Sequence, residues 1–154
     1  MKKLLLLSFL SIFFFSCQKK ETNSVPLEPS RPILTKEKKL ENRQIGDTII
    51  MNFKNEENLF AATGSIDSLN SRVYVKFSNE DSGELNGQII PDGGKGNIRF
   101  NQIIFPDQTS DGPFGMELKT PIQQKGTYIL VVGHSQMADS PYSGKFQVQL
   151  EVKK

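Results

Sequence analysis

The chain has 154 residues, with one cysteine, one histidine and no tryptophan. One cysteine excludes an internal disulfide, and one cysteine with one histidine cannot build a Cys/His zinc site. The length suits one domain, and 19 basic against 17 acidic side chains leave a formal charge of +2.

Lys2 and Lys3 open the chain, and an apolar run from Leu4 to Phe15 follows, interrupted by Ser8 and Ser11. Such a run is too short to span a bilayer and suits the apolar region of a secretory signal. Ser16 and Cys17 close it. A small residue and then the only cysteine, directly after an apolar run, resemble the lipobox of bacterial lipoproteins. Phe14 and Phe15 depart from the usual Leu and small residue. The resemblance implies a signal peptide over 1–16, cleavage before Cys17 and acylation of that cysteine, palmitate included. It places the chain in the cell envelope, with the lipid bilayer of the outer membrane as its first partner. Several acyl chains on one residue anchor a domain stably, where one chain does not. The alternative is an ordinary secretory signal with an incidental cysteine.

Residues 17–43 read as a tether. Pro26, Pro29 and Pro32 recur every third residue, a spacing that favours extended polyproline-like chain. Lys36 to Arg43 have the composition for a helical turn or two. From 18 to 43 there are seven basic and four acidic side chains, for +3. Basic residues beside a lipid anchor are drawn to anionic headgroups, or the segment is a solvated spacer. Residues 44–154 then hold 10 basic and 13 acidic side chains, for −3. A mildly acidic domain lacks the electrostatic footprint of a nucleic-acid binder.

Eight strands are predicted in this domain, over 48–53, 59–66, 72–77, 84–90, 97–105, 114–118, 128–132 and 145–152. Phe146, Val148, Leu150 and Val152 alternate with polar residues, as do Val73, Val75 and Phe77, which marks strands with one wet face. Phe114, Met116 and Leu118 alternate in the same way, and 128–132 is continuously apolar, as in a central strand. Clusters of Asn, Asp, Gly and Pro punctuate the strands at 79–83, 91–96, 106–113, 121–126 and 134–144. The fold class expected is all-β, a single antiparallel jelly-roll-like β-sandwich.

If successive strands alternate in direction, the loops 54–58, 78–83, 106–113 and 134–143 share one end. The tether and the C-terminus then lie at the other end. The first end, pointing away from the membrane, would collect Glu56, Glu57, Glu80, Asp81, Asp107, Asp111 and Asp139. Gathered like charges favour a basic partner or a cation, unless they are merely solvated loops.

Asp107, Thr109, Asp111 and Gly112 match the start of a calcium loop, but its twelfth position is Leu118 in place of a bidentate Glu. A turn stabilised by Asp, Gly and Pro explains the same residues. His134 adjoins Ser135 too closely for a nucleophile–base pair, and no G-x-S-x-G elbow is present. The run Asp92-Gly93-Gly94-Lys95-Gly96 lacks the spacing of a phosphate loop and reads as a hairpin turn. No enzyme activity and no cofactor are expected. The loop 134–143 is long for a hairpin and holds His134, Met137, Asp139 and Tyr142. Long loops on rigid sandwiches carry binding sites, so these residues with Asp107 and Asp111 are the candidate partner contacts. Met137 and Tyr142 have the alternative of capping the core.

The run Gly126-Thr127-Tyr128-Ile129-Leu130-Val131-Val132-Gly133, followed after a loop by Phe146, Val148, Leu150 and Val152, resembles two groups. These are the pre-peptidase C-terminal domains and the periplasmic inhibitors of g-type lysozyme. The resemblance implies a jelly-roll-like sandwich in the envelope that binds a protein or glycan partner without catalysis. It offers two alternatives, an inhibitor of lysozyme or another hydrolase, and an accessory subunit of an envelope assembly. The inhibitors carry arginines in the last long loop, and residues 134–143 contain none. Asp47-Thr48-Ile49 and Asp67-Ser68-Leu69 look like the O-glycosylation triplets of Bacteroidota envelope proteins. Gln18-Lys19-Lys20-Glu21 partly resembles their surface-export signals, without the acidic pair.

Overall fold

A computed structural model describes residues 41–67, 71–138 and 140–154. The signal, Cys17, most of the tether, Ser68, Leu69 and Asp139 lie outside the described residues. Ten strands are present: β1 (Arg43–Ile45), β2 (Thr48–Met51), β3 (Phe60–Ile66), β4 (Arg72–Asn79), β5 (Gly83–Pro91), β6 (Arg99–Ile104), β7 (Ser110–Asp111), β8 (Glu117–Ile122), β9 (Gly126–Gly133) and β10 (Gly144–Lys153). They form a sandwich of two sheets, one ordered β1-β2-β4-β9-β6-β7 and one ordered β3-β10-β5-β8.

The alternation seen in the sequence becomes burial. Val73, Val75 and Phe77 point between the sheets from β4, and Phe146, Val148 and Leu150 do so from β10. β9 is central in its sheet, and Leu130 to Gly133 are buried in succession. Tyr128 stacks on Phe77 with ring centroids 5.4 Å apart, and Phe105 meets it edge-on at 6.0 Å. All pairings are antiparallel except β2 with β4. The exception follows from topology: β3 crosses to the second sheet and back, so β2 and β4 start from the same end.

Three expectations are corrected. Arg43 to Ile45 are β1, paired with β2, where a tether with helical turns was expected to reach Arg43. The strand expected at 114–118 straddles a change of sheet. Residues 110–115 run down the edge of β6, with Phe114 N–H donating to Phe100 O at 2.9 Å and Phe100 N–H to Gly115 O at 2.9 Å. The chain then switches sheets and returns as β8, whose Leu118, Thr120 and Ile122 face inward. Pro121, expected in a turn, lies in β8; the strand is at the sheet edge, where a residue without an N–H is tolerated.

These added passes decide the third correction. Counting β1 and the 110–115 segment, the loops 52–59, 80–82, 105–109 and 123–125 share one end with the C-terminus. The chain enters the sandwich at this same end, where Asn42 Nδ2 donates to Phe53 O at 2.7 Å and Ala61 O at 3.0 Å. We call it the near end. The far end holds the turns at 46–47 and 92–98, the end of β3 and the start of β4, the sheet switch at 115–116 and the described residues of the loop 134–143. Glu56, Glu57, Glu80, Asp81 and Asp107 do gather, but beside the chain's point of entrance and not away from it. Asp111, paired with Ile103 in β7, lies just inside the same end, and the 134–143 loop is at the other.

Candidate functional site

The outer face of the six-stranded sheet dips into a cleft of about 590 Å³ that reaches toward the far end. Its floor is the end of β9. Arg72 on β4 and Arg99 on β6 both stand opposite Gly133, so the two stems flank a position that has no side chain. Beside them, β6 has a bulge between Phe100 and Gln102, which leaves Asn101 as the extra residue. Bulges re-aim side chains. Here Asn101 Oδ1 accepts from Arg99 Nε at 2.8 Å, and its Nδ2 donates to His134 O at 3.4 Å. Residues 110–113 make one wall, and Gln102 Nε2 donates to Ser110 Oγ at 2.9 Å. His134, Gln136 and Met137 form the rim.

Asn97 holds that rim in place. Its Nδ2 donates to Ser135 O at 3.2 Å and Ser140 O at 3.1 Å, and its Oδ1 accepts from Ser135 N–H at 2.9 Å. Met137 projects from the loop, 95% exposed. Tyr142 does the reverse. It is half-buried against the core, a Cβ on Gly96 would lie 2.4 Å from its ring, and its hydroxyl donates to Lys145 O. Of the two alternatives for these residues, Met137 is presented and Tyr142 caps.

Charge is divided over the surface. The outer face of the four-stranded sheet neutralises itself, with Lys119 3.1 Å from Glu84 and Lys153 3.2 Å from Glu151. At the near end Lys154 pairs with Asp81 at 3.2 Å, and Lys54 lies over the Phe60 ring. Arg72 and Arg99 make no ion pair among the described residues. Among the described residues, the one carboxylate lining their cleft is Asp111, whose Oδ1 accepts from Gly112 N–H at 2.8 Å.

The structure brings together Asp111, His134 and Met137 of the sequence-predicted contacts. Asp107 lies at the near end, Tyr142 is tucked away and Asp139 lies outside the described residues. Of the calcium candidates, Asp107 spends its carboxylate on its own turn. Oδ1 accepts from Thr109 N–H at 3.0 Å and Thr109 Oγ1 at 2.6 Å, and Oδ2 from Gln124 Nε2 at 2.7 Å. The hydrogen bonds from Thr109 and Gln124 hold its pKa below the ordinary 3.8. Among the described residues no group of three or more His, Cys, Asp or Glu is arranged to hold a metal. Sequence reasoning missed Arg72, Arg99, Asn101 and Asn97. Arg72 alternates with Val73 as any wet-face residue does, and only the register across β9 sets it beside Arg99.

No protein-family model matches the chain, and no curated protein matches its sequence. Among solved structures, the chain is similar to the periplasmic inhibitor of g-type lysozyme of Aeromonas hydrophila, with 11% identity, TM-score 0.47, and coverage of 70% of this chain and 98% of that one. The Salmonella Typhimurium inhibitor of g-type lysozyme matches with 14% identity and TM-score 0.45 over 68% of this chain and 98% of the other. The pre-peptidase C-terminal domain of a Bacillus anthracis collagenase matches with 14% identity and TM-score 0.41 over 74% and 97%. These are the two groups that the last strand pair resembles in sequence.

Proposed function

We propose that the chain is a cell-envelope lipoprotein, anchored in the outer membrane through acylated Cys17, whose sandwich binds a partner without catalysis through the far-end cleft. The observation that carries the binding reading is the pair Arg72 and Arg99, unpaired with acid among the described residues and set either side of Gly133. Cations that make no ion pair among the described residues, set in a concave site, are positioned for an anionic group from outside. The lining is mostly guanidinium, amide and hydroxyl, groups that recognise, with His134 and Asp111 beside them. The binding surface therefore moves from the acidic loops to the cationic cleft.

A photo-crosslinking residue in place of Met137 should capture a partner in intact cells, while the same probe at Glu57, at the near end, should not. Equal capture at both positions, or at neither, would sink the cleft as the binding surface. Anchoring is tested separately: Cys17→Ala should move the protein from the membrane fraction to the soluble envelope fraction. Retention in the membrane would refute the lipoprotein.

Inhibition of a lysozyme is the second reading. The arginines missing from residues 134–143 are supplied beside that loop by Arg72 and Arg99. Full activity of a g-type lysozyme in a micromolar excess of the protein would remove it.

A further inference from the structure

We infer that the far-end cleft takes a carboxylate-bearing sugar, gripped by Arg72 and Arg99 across Gly133. The inference rests on the binding reading above and adds the chemistry of the ligand. Arg72 and Arg99 are in register with the same residue of the strand between them, so their Cα atoms stand about 10 Å apart, two inter-strand spacings. Gly133 is buried between them, and Asn101 Nδ2 and Ser71 O occupy the space a side chain there would need. A Cβ at Gly133 would lie 2.9 Å from Asn101 Nδ2 and 3.1 Å from Ser71 O. Asn101 holds Arg99 by its Nε, and the terminal nitrogens carry the remaining donors of the fork. A planar carboxylate, with two acceptor oxygens, matches that fork in a way a hydroxyl or an amide does not.

The rest of the lining selects what bears the carboxylate. Asn101, Gln102 and Gln136 carry amides, and Ser71 and Ser110 carry hydroxyls. Each both donates and accepts, as sugar hydroxyls do. Apolar contact is limited to Val131, Pro113 and Met137, which gives an acidic peptide few side-chain pockets. Asp111 stands in the same cleft and opposes a densely charged polyanion, but it accepts well from a hydroxyl. The cleft volume, about 590 Å³, falls in the range of small-ligand sites, about 300–1,000 Å³.

The test is calorimetric titration of the full chain in detergent with trigalacturonate, its neutral methyl ester and tri-glutamate. Trigalacturonate should bind, the ester should bind at least about tenfold more weakly, and Arg72→Gln or Arg99→Gln should each cost about tenfold. Lys145→Gln, on the opposite sheet, should change nothing. Arg72 is exposed, so its variant tests the idea even if Arg99→Gln is destabilised. Ester and acid binding alike, or folded arginine variants that bind like the parent, would overturn the proposal. Tighter binding of tri-glutamate would overturn the sugar and leave the binding cleft standing. So would silence with trigalacturonate while the Met137 probe still captures a partner; silence in both experiments removes both readings.

Discussion

Asn97→Ala should loosen the rim of the cleft without dissolving the sandwich. Asn97 makes three hydrogen bonds to the 134–143 loop, to Ser135 O, Ser140 O and Ser135 N–H. At about 1 kcal/mol net each, they total roughly 3 kcal/mol at face value. Ser140 is exposed, so water replaces its share, and the loop keeps the Asn101 bond to His134 O. A global loss of about 1–2 kcal/mol is expected, read by urea unfolding with far-ultraviolet circular dichroism, since the chain has no tryptophan. The local effect is more specific. Exchange of the Ser135 amide should accelerate by about tenfold or more, because each tenfold is about 1.4 kcal/mol of opening energy. Amides of β4 and β10 should slow or quicken only with the global change. Asn97→Asp keeps the acceptor for Ser135 N–H and loses both donors, so it should fall between the parent and the alanine variant. Unchanged exchange at Ser135 in Asn97→Ala would refute the pin.

Two further outcomes concern the near end. Tyr128→Phe keeps the stack on Phe77 but removes the hydroxyl that donates to Gln124 O at 2.6 Å and accepts from Gln124 N–H at 3.2 Å, so a loss of about 1–2 kcal/mol in urea unfolding is expected; a variant as stable as the parent would show that water substitutes for the phenol. Asp107 has a folded pKa below 3.8, held there by Thr109 and Gln124, so its contribution is fully present above 3.8 and is lost as pH falls through the folded value. Asp107→Asn should therefore flatten the dependence of Tm on pH below about pH 4, and an unchanged slope would mean the carboxylate is not coupled to folding.

The fold was legible where one strand faces one core. β4 and β10 alternate cleanly, and β9 reads as central because apolar residues run through Tyr128 to Val132. Legibility failed where the chain changes sheet. Phe114, Met116 and Leu118 have strand spacing, yet Phe114 packs from one sheet, Leu118 from the other, and Met116 lies exposed between them. Thr120 and Pro121 concealed β8, because a buried Thr and an edge Pro look like turn residues without the partner strand in view. One unseen pass then moved the 134–143 loop to the opposite end from Glu56 and Glu80, and the unseen β1 moved the chain's point of entrance. The cleft suffered most. His134, Met137 and Asp111 were visible as loop residues, but the arginines that give the site its charge meet only through the register of three strands and one bulge.

The same inversion makes the electrostatics testable. β4 has eight residues, so the near-end loop that carries Glu56 and Glu57 and the arginine pair of the cleft are separated by about 25 Å. Two unit charges at that distance in water interact by only about 0.17 kcal/mol before screening. Glu56 and Glu57 facing the three carboxylates of trigalacturonate make six such repulsions. At 0.01 M salt the screening length is about 30 Å, each pair keeps a little under half its strength, and the set reaches about 0.4 kcal/mol. At 0.15 M the length is about 8 Å and the sum is negligible. The Glu56→Gln, Glu57→Gln double variant should therefore bind trigalacturonate about twofold tighter at 0.01 M salt and indistinguishably at 0.15 M. Titration calorimetry at the two salt concentrations reads this directly. A gain that persists at 0.15 M would place the ligand within about a screening length of the acids, at the near end, and the assignment to Arg72 and Arg99 would be wrong.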